Sequence, residues 1–197
     1  PYRRQRQMCI RDRPIVRKEI AATKKKKAVE RSSIDQRIDY RWIDLRTDEN
    51  QLMFKAQSCF VNAMRKFLLD RNFIEIHTPK LIAAASESGS EVFKVDYFDR
   101  NAYLAQSPQF YKQMAMAAGF ERIFETGPVF RAEKSYTNKH ATEFSGFDLE
   151  FSYITSFKDV MKMEEELLTA GLQAVKDNYG EQIKDCLLYT SDAADDK

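Results

Sequence analysis

Apolar residues recur at a spacing of three to four between residues 50 and 71, which predicts an amphipathic helix. The stripe consists of Leu52, Phe54, Phe60, Val61, Met64, Phe67 and Leu68. Asn72 suits the end of this helix. Residues 73–77 then alternate between apolar and polar side chains, which predicts a strand that Thr78 and Pro79 terminate.

The rest of the pattern predicts a mixture of strands and helices. Residues 92–98 and 102–104 indicate a hairpin around Asp99-Arg100-Asn101, residues 109–118 a helix, and residues 122–131 and 143–154 two strands joined by a charged loop. Ser156 can cap a last helix that has Asp159 at its third position. The apolar stripe of this helix is Val160, Met163, Leu167, Leu168, Leu172 and Val175. We therefore expect an α+β fold, with an antiparallel sheet flanked by helices.

The two ends of the chain can be encoded by complementary DNA sequences. Residues 186–195 can be encoded by a DNA element whose reverse complement, in a shifted frame, encodes residues 4–12. Such ends resemble adapters left by transposon-based library preparation. We therefore expect residues 1–13 and 186–197 to be adapter-derived and the native segment to be about 14–185. Neither end of that segment need be a natural terminus.

Removing these ends changes the charge balance. They hold six of the 32 basic and four of the 30 acidic residues, so 26 of each remain and the net charge falls from +2 to zero. The basic character is then no argument for nucleic-acid binding. Only Cys59 remains, which fits a reducing cytoplasm and argues against a disulfide or a thiolate zinc cluster. The absence of a long apolar run predicts no membrane span.

Residues 14–33 are polar and include four consecutive lysines at 24–27. This composition is typical of a linker or of the tail of a missing upstream domain. The lysines are compatible either with contact to phosphate or with a solvated linker.

The candidate chemistry lies around residues 130–150. Phe130-Arg131-Ala132-Glu133 is followed by a polar loop and then by residues 142–150, which read TEFSGFDLE. Arginine can grip a phosphate in two places, an aromatic ring can stack on a base, and carboxylates can bind an ammonium group. The chain has no glycine-rich phosphate loop, so side chains would have to hold any nucleotide. Taken singly, however, a lysine such as Lys112 is usually solvated and a phenylalanine such as Phe144 usually lies in a core.

Several segments together resemble class II aminoacyl-tRNA synthetases, and within them the archaeal and eukaryotic aspartyl-tRNA synthetases. Residues 41–46 (RWIDLR) resemble the start of the catalytic domain, and residues 50–79 resemble motif 1, which builds the dimer interface. Residues 86–90 (SESGS) resemble the flipping loop, residues 105–113 (AQSPQFYKQ) the substrate-binding segment, and residues 127–150 motif 2. The likeness covers about 34–180, and residues 34–185 would be a partial catalytic domain.

The resemblance implies roles for individual residues. Arg131 would be the catalytic residue and would bind the ATP α-phosphate, while Phe144 would stack on adenine. Glu133 and His140 would lie near the ATP or the 3′ end of the tRNA. The aspartate-binding residues would be Ser86, Glu87, Gln109, Lys112, Asp148 and Glu150, with Lys112 on the side-chain carboxylate. The tRNA acceptor stem would contact Lys134, Ser135, Thr137 and Lys139.

The resemblance further implies L-aspartate, ATP and tRNA as substrates, Mg²⁺ as a cofactor, and a cytoplasmic homodimer formed through residues 50–79. One charge-assisted bond gives a preference for aspartate over asparagine of about 10–150-fold. Because this preference is too small for a selective enzyme, we expect a second cation, located downstream of this chain. Motif 3, the acidic magnesium ligands and the anticodon-binding OB domain are absent. Ser88 and Lys134 depart from the glycine and asparagine that are common in the family.

Three other interpretations remain open. An asparaginyl-tRNA synthetase, or an asparagine synthetase with the same catalytic domain, would share Arg131 and Phe144, although Lys112 and the wording of residues 142–148 favour aspartate. A catalytically inactive synthetase-like binding protein would retain motif 2 without turnover. A basic nucleic-acid-binding module is suggested by the raw charge and loses its support once the ends are removed.

Overall fold

The computed structural model describes residues 18–19, 29–30, 33–84, 92–134 and 140–191, with backbone alone for 18–19, 29–30 and 187–191. The chain divides into two compact units, Pro1–Phe60 with Gln173–Lys197, and Val61–Leu172. The helices are α1 (Ile34–Asp39), α2 (Arg41–Asp44), α3 (Asp48–Leu69), α4 (Gln109–Ala117) and α5 (Phe157–Ser191). The strands are β1 (Lys18–Glu19), β2 (Val29–Glu30), β3 (Ile74–Glu75), β4 (Leu81–Ile82), β5 (Lys94–Tyr97), β6 (Arg100–Leu104), β7 (Arg122–Phe130) and β8 (Glu143–Phe151).

In the first unit, one buried carboxylate organises the two short helices α1 and α2. Asp44 is 3% exposed and accepts hydrogen bonds from the guanidinium groups of Arg37 and Arg41, the former at 2.9 Å. These arginines hold the pKa of Asp44 below its ordinary value, against the opposing effect of burial. The Asn50 side chain donates to the Asp44 carbonyl at 2.8 Å, which links helix α2 to the beginning of α3.

The second unit is built on two three-stranded sheets. One has the order β3-β7-β8, with β3 parallel to β7 and β7 antiparallel to β8, and the other has the antiparallel order β4-β6-β5. The α+β class is confirmed, and the parallel β3–β7 pair makes the first sheet mixed rather than purely antiparallel. The core of the second unit contains Leu68, Phe73, Ile123 and Phe124, which are 0–3% exposed.

The predicted elements are present with small shifts at their ends. Helix α3 ends at Leu69, and Asn72 adopts φ 62°, so the chain reverses where the sequence indicates a helix end. The predicted three-residue turn at 99–101 is wrong, because Arg100 and Asn101 belong to strand β6. Tyr97 pairs with Arg100, which leaves Phe98 and Asp99 as the two-residue turn, and Phe98 is 90% exposed with φ 54°.

The cap of the last helix is confirmed by its hydrogen bonds. Asp159 accepts from the backbone N–H groups of Thr155 and Ser156 at 2.9 and 3.0 Å, and Ser156 Oγ accepts from the Lys158 N–H at 3.3 Å. The apolar stripe is only partly buried. Leu167 is 3% exposed, whereas Leu168 and Leu172 are 41% and 62% exposed. Helix α5 also continues beyond Asp185, the predicted end of the native segment.

Candidate active site

A cleft with about 420 Å³ of empty space, part of it open to solvent, lies on the β7–β8 face of the second unit. Strands β7 and β8 pair over nine residues each, from Arg122↔Phe151 to Phe130↔Glu143. Side chains alternate between the two faces of a sheet, so every second residue of each strand can line one cleft. Glu125, Gly127 and Val129 do so from β7, and Phe144, Gly146 and Asp148 do so from β8.

The floor of the cleft is bare because two glycines face each other in it. Gly127 pairs with Gly146 in the strand register, and both line the cleft. A Cβ at Gly127 would lie 3.6 Å from Lys80 Cε and 3.6 Å from Glu125 Oε1. Any longer side chain at these positions would project into the space that a ligand needs.

A buried lysine joins helix α4 to strand β8 next to this cleft. Lys112 is 5% exposed, and its Nζ donates a hydrogen bond to Asp148 and forms an ion pair with Glu150 at 3.1 Å. Burial lowers the pKa of Lys112, but hydrogen bonding and attraction from Asp148 and then Glu150 outweigh it and raise that pKa. Lys112 is therefore charged at neutral pH, and the three side chains together carry one net negative charge.

Arg131 and Phe144 form the second part of the cleft. Arg131 follows the last residue of β7, and its backbone N–H donates to the Thr142 carbonyl at 2.9 Å, which fixes it beside the start of β8. Its guanidinium carbon lies 5.6 Å from the centroid of the Phe144 ring. Arg131 Nε is buried and has no hydrogen-bond partner among the described residues. The Phe144 side chain is 39% exposed at the cleft, so it does not lie in the core.

A further ion pair lines the cleft at its β7 side. Glu125, which is 3% exposed, accepts from Lys80 Nζ at 2.9 Å, from the Thr78 N–H at 2.8 Å and from Thr78 Oγ1 at 2.7 Å. Burial raises the pKa of Glu125, but these donors outweigh it and hold the pKa below its ordinary value. Neither Glu125 nor Lys80 was among the predicted site residues. The available signal was a carboxylate that directly follows the apolar residues Ile123 and Phe124 within a predicted strand.

The structure brings some of the predicted site residues together and leaves others apart. Lys112, Asp148 and Glu150 form one cluster, and Arg131, Phe144 and Asp148 share the cleft. Gln109 begins helix α4 one turn before Lys112 and is half-buried. Glu133, Lys134 and His140 are exposed between β7 and β8. The predicted residues that lie outside the described part of the chain are Ser86, Glu87, Ser135, Thr137 and Lys139.

Within the described residues, no group of three or more His, Cys, Asp or Glu side chains is placed to hold a metal ion. In the same part of the chain, no helix is long and apolar enough to cross a membrane. The side chains that line the cleft include cations, carboxylates and the aromatic rings of Phe144 and Phe147.

A family model for class II tRNA synthetases (D, K and N) matches residues 33–193. The chain belongs to this family. The match begins where a linker is predicted to end and reaches past the predicted boundary at residue 185. The assignment of residues 186–197 to an adapter stays a prediction.

Over the matched segment, curated relatives are about 45–50% identical to this chain. The chain is 50% identical over 153 residues to the aspartate–tRNA(Asp/Asn) ligase of Methanopyrus kandleri, covering 78% of this chain and 36% of the relative. It is 45% identical over 150 residues to the cytoplasmic aspartate–tRNA ligase of Homo sapiens, covering 76% and 30%. The chain thus spans about a third of the length of these relatives.

Solved structures of the same family have the same fold. Asparaginyl-tRNA synthetase from Pyrococcus horikoshii, in complex with asparaginyl-adenylate, gives a TM-score of 0.73 at 33% identity over 81% of this chain and 39% of that one. A putative aspartyl-tRNA synthetase from Leishmania major Friedlin gives 0.66 at 40% identity over 81% and 32%.

Proposed function

We propose that this chain is part of an aspartate–tRNA ligase, which activates L-aspartate with ATP and transfers it to tRNA. The observation that carries the proposal is the buried Lys112 between two carboxylates, next to a cleft that Arg131 and Phe144 line. The identity of 45–50% to ligases named for aspartate supports the same substrate.

The charges of the Lys112 cluster complement those of aspartate. The substrate carries an α-ammonium group, which Asp148 and Glu150 can accept, and a side-chain carboxylate, which the Lys112 ammonium can bind. Since the cluster has one net negative charge, the α-ammonium would neutralise it. The rest of the pocket would come from Gln109 and from Ser86 and Glu87, the last two outside the described residues.

ATP would bind with adenine on the Phe144 ring and its α-phosphate at Arg131. Stacking on an aromatic ring contributes about 1–3 kcal/mol per base. The buried Arg131 Nε has a donor available for a phosphate oxygen, whose charge would offset the desolvation of the guanidinium group. Glu133 and His140 would lie at the solvent side of the nucleotide or near the tRNA 3′ end.

The first reaction would be an in-line displacement. An oxygen of the aspartate α-carboxylate attacks the α-phosphorus, a new C–O–P bond forms, and pyrophosphate leaves as the bond to the α-phosphorus breaks. The nucleophile is already an anion, so the step requires positioning and charge stabilisation rather than a protein base. Arg131 would stabilise the developing negative charge. Mg²⁺ would supply further charge neutralisation on ATP, and the family resemblance implies that its ligands lie downstream of this chain.

The remaining partners follow from the same assignment. Lys134, with Ser135, Thr137 and Lys139, would contact the acceptor stem of tRNA. Residues 50–79 would form a homodimer interface. The enzyme would act in the cytoplasm, as the names of relatives from Caenorhabditis elegans and Homo sapiens state for those proteins.

An asparagine-specific enzyme is a second candidate, because a solved asparaginyl-tRNA synthetase bound to its adenylate has a TM-score of 0.73 with this chain. The side-chain amide of asparagine is neutral and gains less from a buried ammonium than a carboxylate does. Lys112 therefore favours aspartate over asparagine as the activated amino acid.

Two experiments test the proposal. The parent gene is first sequenced outward with primers inside codons 40–180, where we expect an upstream OB-like domain and a downstream glycine-rich segment that ends in arginine. The encoded protein is then assayed by ATP–pyrophosphate exchange, which should depend on aspartate. Exchange that depends on asparagine would favour the second candidate, and native codons that continue through residues 186–188 without a third motif would favour an inactive binding protein.

The isolated 197-residue chain should give no aspartate-dependent exchange, because motif 3 supplies the second ATP-binding arginine in the family that the sequence resembles. Titration of the isolated chain with ATP is the accompanying measurement. Turnover by this chain alone would contradict the assignment of an essential part of the site to the missing segment.

A further inference from the structure

The strongest unassigned feature is Lys80, which reaches the cleft from the segment just before strand β4. Its side chain is 22% exposed and lines the same cleft as Arg131, Phe144 and Asp148. A Cβ at Gly127 would lie 3.7 Å from Lys80 Nζ, so the ammonium group lies over the bare glycine floor. None of the roles derived above uses this cation.

Two neighbours hold the Lys80 ammonium group in place. Nζ donates to Glu125 Oε1 at 2.9 Å and to Thr78 Oγ1 at 3.1 Å. Glu125 is fixed in turn by the N–H and the hydroxyl of Thr78. A lysine ammonium has three N–H donors. These two contacts use two of them, and the partly exposed side chain can direct the third at a ligand in the cleft.

The Lys80 ammonium group could also help the site to distinguish aspartate from asparagine. A single charge-assisted bond gives a preference for aspartate over asparagine of only about 10–150-fold. The charge of Lys112 is already shared between Asp148 and Glu150. Glu125 also lines the cleft, but both of its carboxylate oxygens already accept hydrogen bonds from Lys80 and Thr78. A second ammonium group is therefore available in the cleft from within this chain, whereas the sequence predicts that the second cation comes from downstream.

We propose that Lys80 is an anion-binding residue of this cleft, that Glu125 and Thr78 position it, and that it contacts a carboxylate or phosphate oxygen of the substrate. The inference rests on the proposed function, because it names a further residue of that site. A purely structural ion pair, in which Lys80 serves only to neutralise the buried Glu125, is the competing explanation.

The test uses the complete enzyme and compares Glu125→Gln with the double variant Lys80→Met/Glu125→Gln. The double variant removes both charges and so leaves no unpaired buried carboxylate. ATP–pyrophosphate exchange gives the KM for the amino acid and for ATP separately, and thermal unfolding reports on the fold. The matched control is Glu181→Gln/Lys184→Met, which removes an exposed ion pair on helix α5.

An anion-binding Lys80 predicts that the double variant has a KM at least about tenfold higher for one substrate, while Glu125→Gln changes it less. A rise for the amino acid alone identifies a carboxylate as the ligand, and a rise for ATP alone identifies a phosphate. If both KM values of the folded double variant stay within about twofold of the control, the pair is structural and the proposal is overturned.

A second comparison applies if the double variant does not fold. Lys80→Gln retains a donor for Glu125 without the charge, and Lys80→Arg retains the charge. Lys80→Gln should show the KM increase and Lys80→Arg should largely reverse it, whereas equal KM values in both would overturn the proposal. The wild-type enzyme tests the proposed function separately. If it activates asparagine instead of aspartate, the same variants are compared with asparagine as the substrate.

Discussion

The Lys112→Met substitution in the complete enzyme tests the proposed amino acid site. Methionine is close to lysine in length and flexibility and removes only the charge and its hydrogen bonds. The substitution leaves Asp148 and Glu150 without the ammonium group that joins them. We expect activation of aspartate to be nearly abolished, with the KM for ATP little changed because Arg131 and Phe144 keep their positions.

The magnitude follows from two losses. The charge-assisted bond from Lys112 to the substrate carboxylate is worth about 1.5–3 kcal/mol, or about 10–150-fold in kcat/KM. Asp148 and Glu150 both contact Lys112 Nζ, so their nearest carboxylate oxygens are at most about 6 Å apart, and without the ammonium group they repel each other by about 3 kcal/mol at an effective dielectric constant of 20. Both are about one-third exposed, at 31% and 32%, so solvent reduces this second contribution.

The assay is ATP–pyrophosphate exchange with aspartate and with asparagine, together with thermal unfolding. The Glu181→Gln/Lys184→Met variant is the control for loss of an exposed ion pair that does not line the cleft. The preference for aspartate over asparagine should fall by at least about tenfold in Lys112→Met. Unchanged selectivity in a folded Lys112→Met enzyme would refute the aspartate assignment and the role of this lysine.

Three further predictions concern the cleft and its supports. Phe144→Ala should raise the KM for ATP by about 5–150-fold, because stacking is worth about 1–3 kcal/mol per base, while Phe144→Tyr should keep it; equal values in both variants would argue against stacking. Glu125 has a depressed pKa when folded, so its stabilisation is complete above its ordinary value of 4.5 and is lost as the pH falls through the lower folded pKa. Thermal unfolding from pH 6 to 3 should therefore depend less on pH in Glu125→Gln than in wild type, and identical profiles would count against this. Asn72, at φ 62°, should tolerate glycine, whereas Asn72→Ala should cost about 1 kcal/mol of unfolding free energy in urea melts; equal stability of the two variants would show that the conformation is not strained.

Long periodic segments were predictable from the sequence because their signals are local. The apolar stripe before Asn72 predicts helix α3, and the Ser156–Asp159 pair predicts the start of helix α5. The hairpin turn was placed wrongly because Asp99 and Asn101 are common turn residues, whereas the chain turns at the exposed Phe98. Register, which the whole strand pair determines, overrides the preference of single residues there.

The sequence supplies candidate residues for the site but not the contacts between them. Arg131, Phe144 and Lys112 could be chosen from the sequence because the family resemblance places them, although a lysine on a helix is ordinarily solvated. Lys112 contacts Asp148, which lies 36 positions further along the chain, and also Glu150. Contacts over such separations depend on how α4 lies against β8, which periodicity does not encode. The contact between Lys80 and Glu125, 45 positions apart, is unpredictable from the sequence for the same reason.

The outer edge of strand β8 affects how the isolated segment associates with other chains. It is a nine-residue strand with β7 on one side, and among the described strands nothing pairs with its other side. Its free N–H and C=O groups form a template on which another extended chain can add. Aggregation of the isolated segment should therefore increase steeply with its concentration. A separately expressed downstream segment could supply the pairing strand in trans, so β8 marks a point at which the enzyme could be divided into two complementing halves.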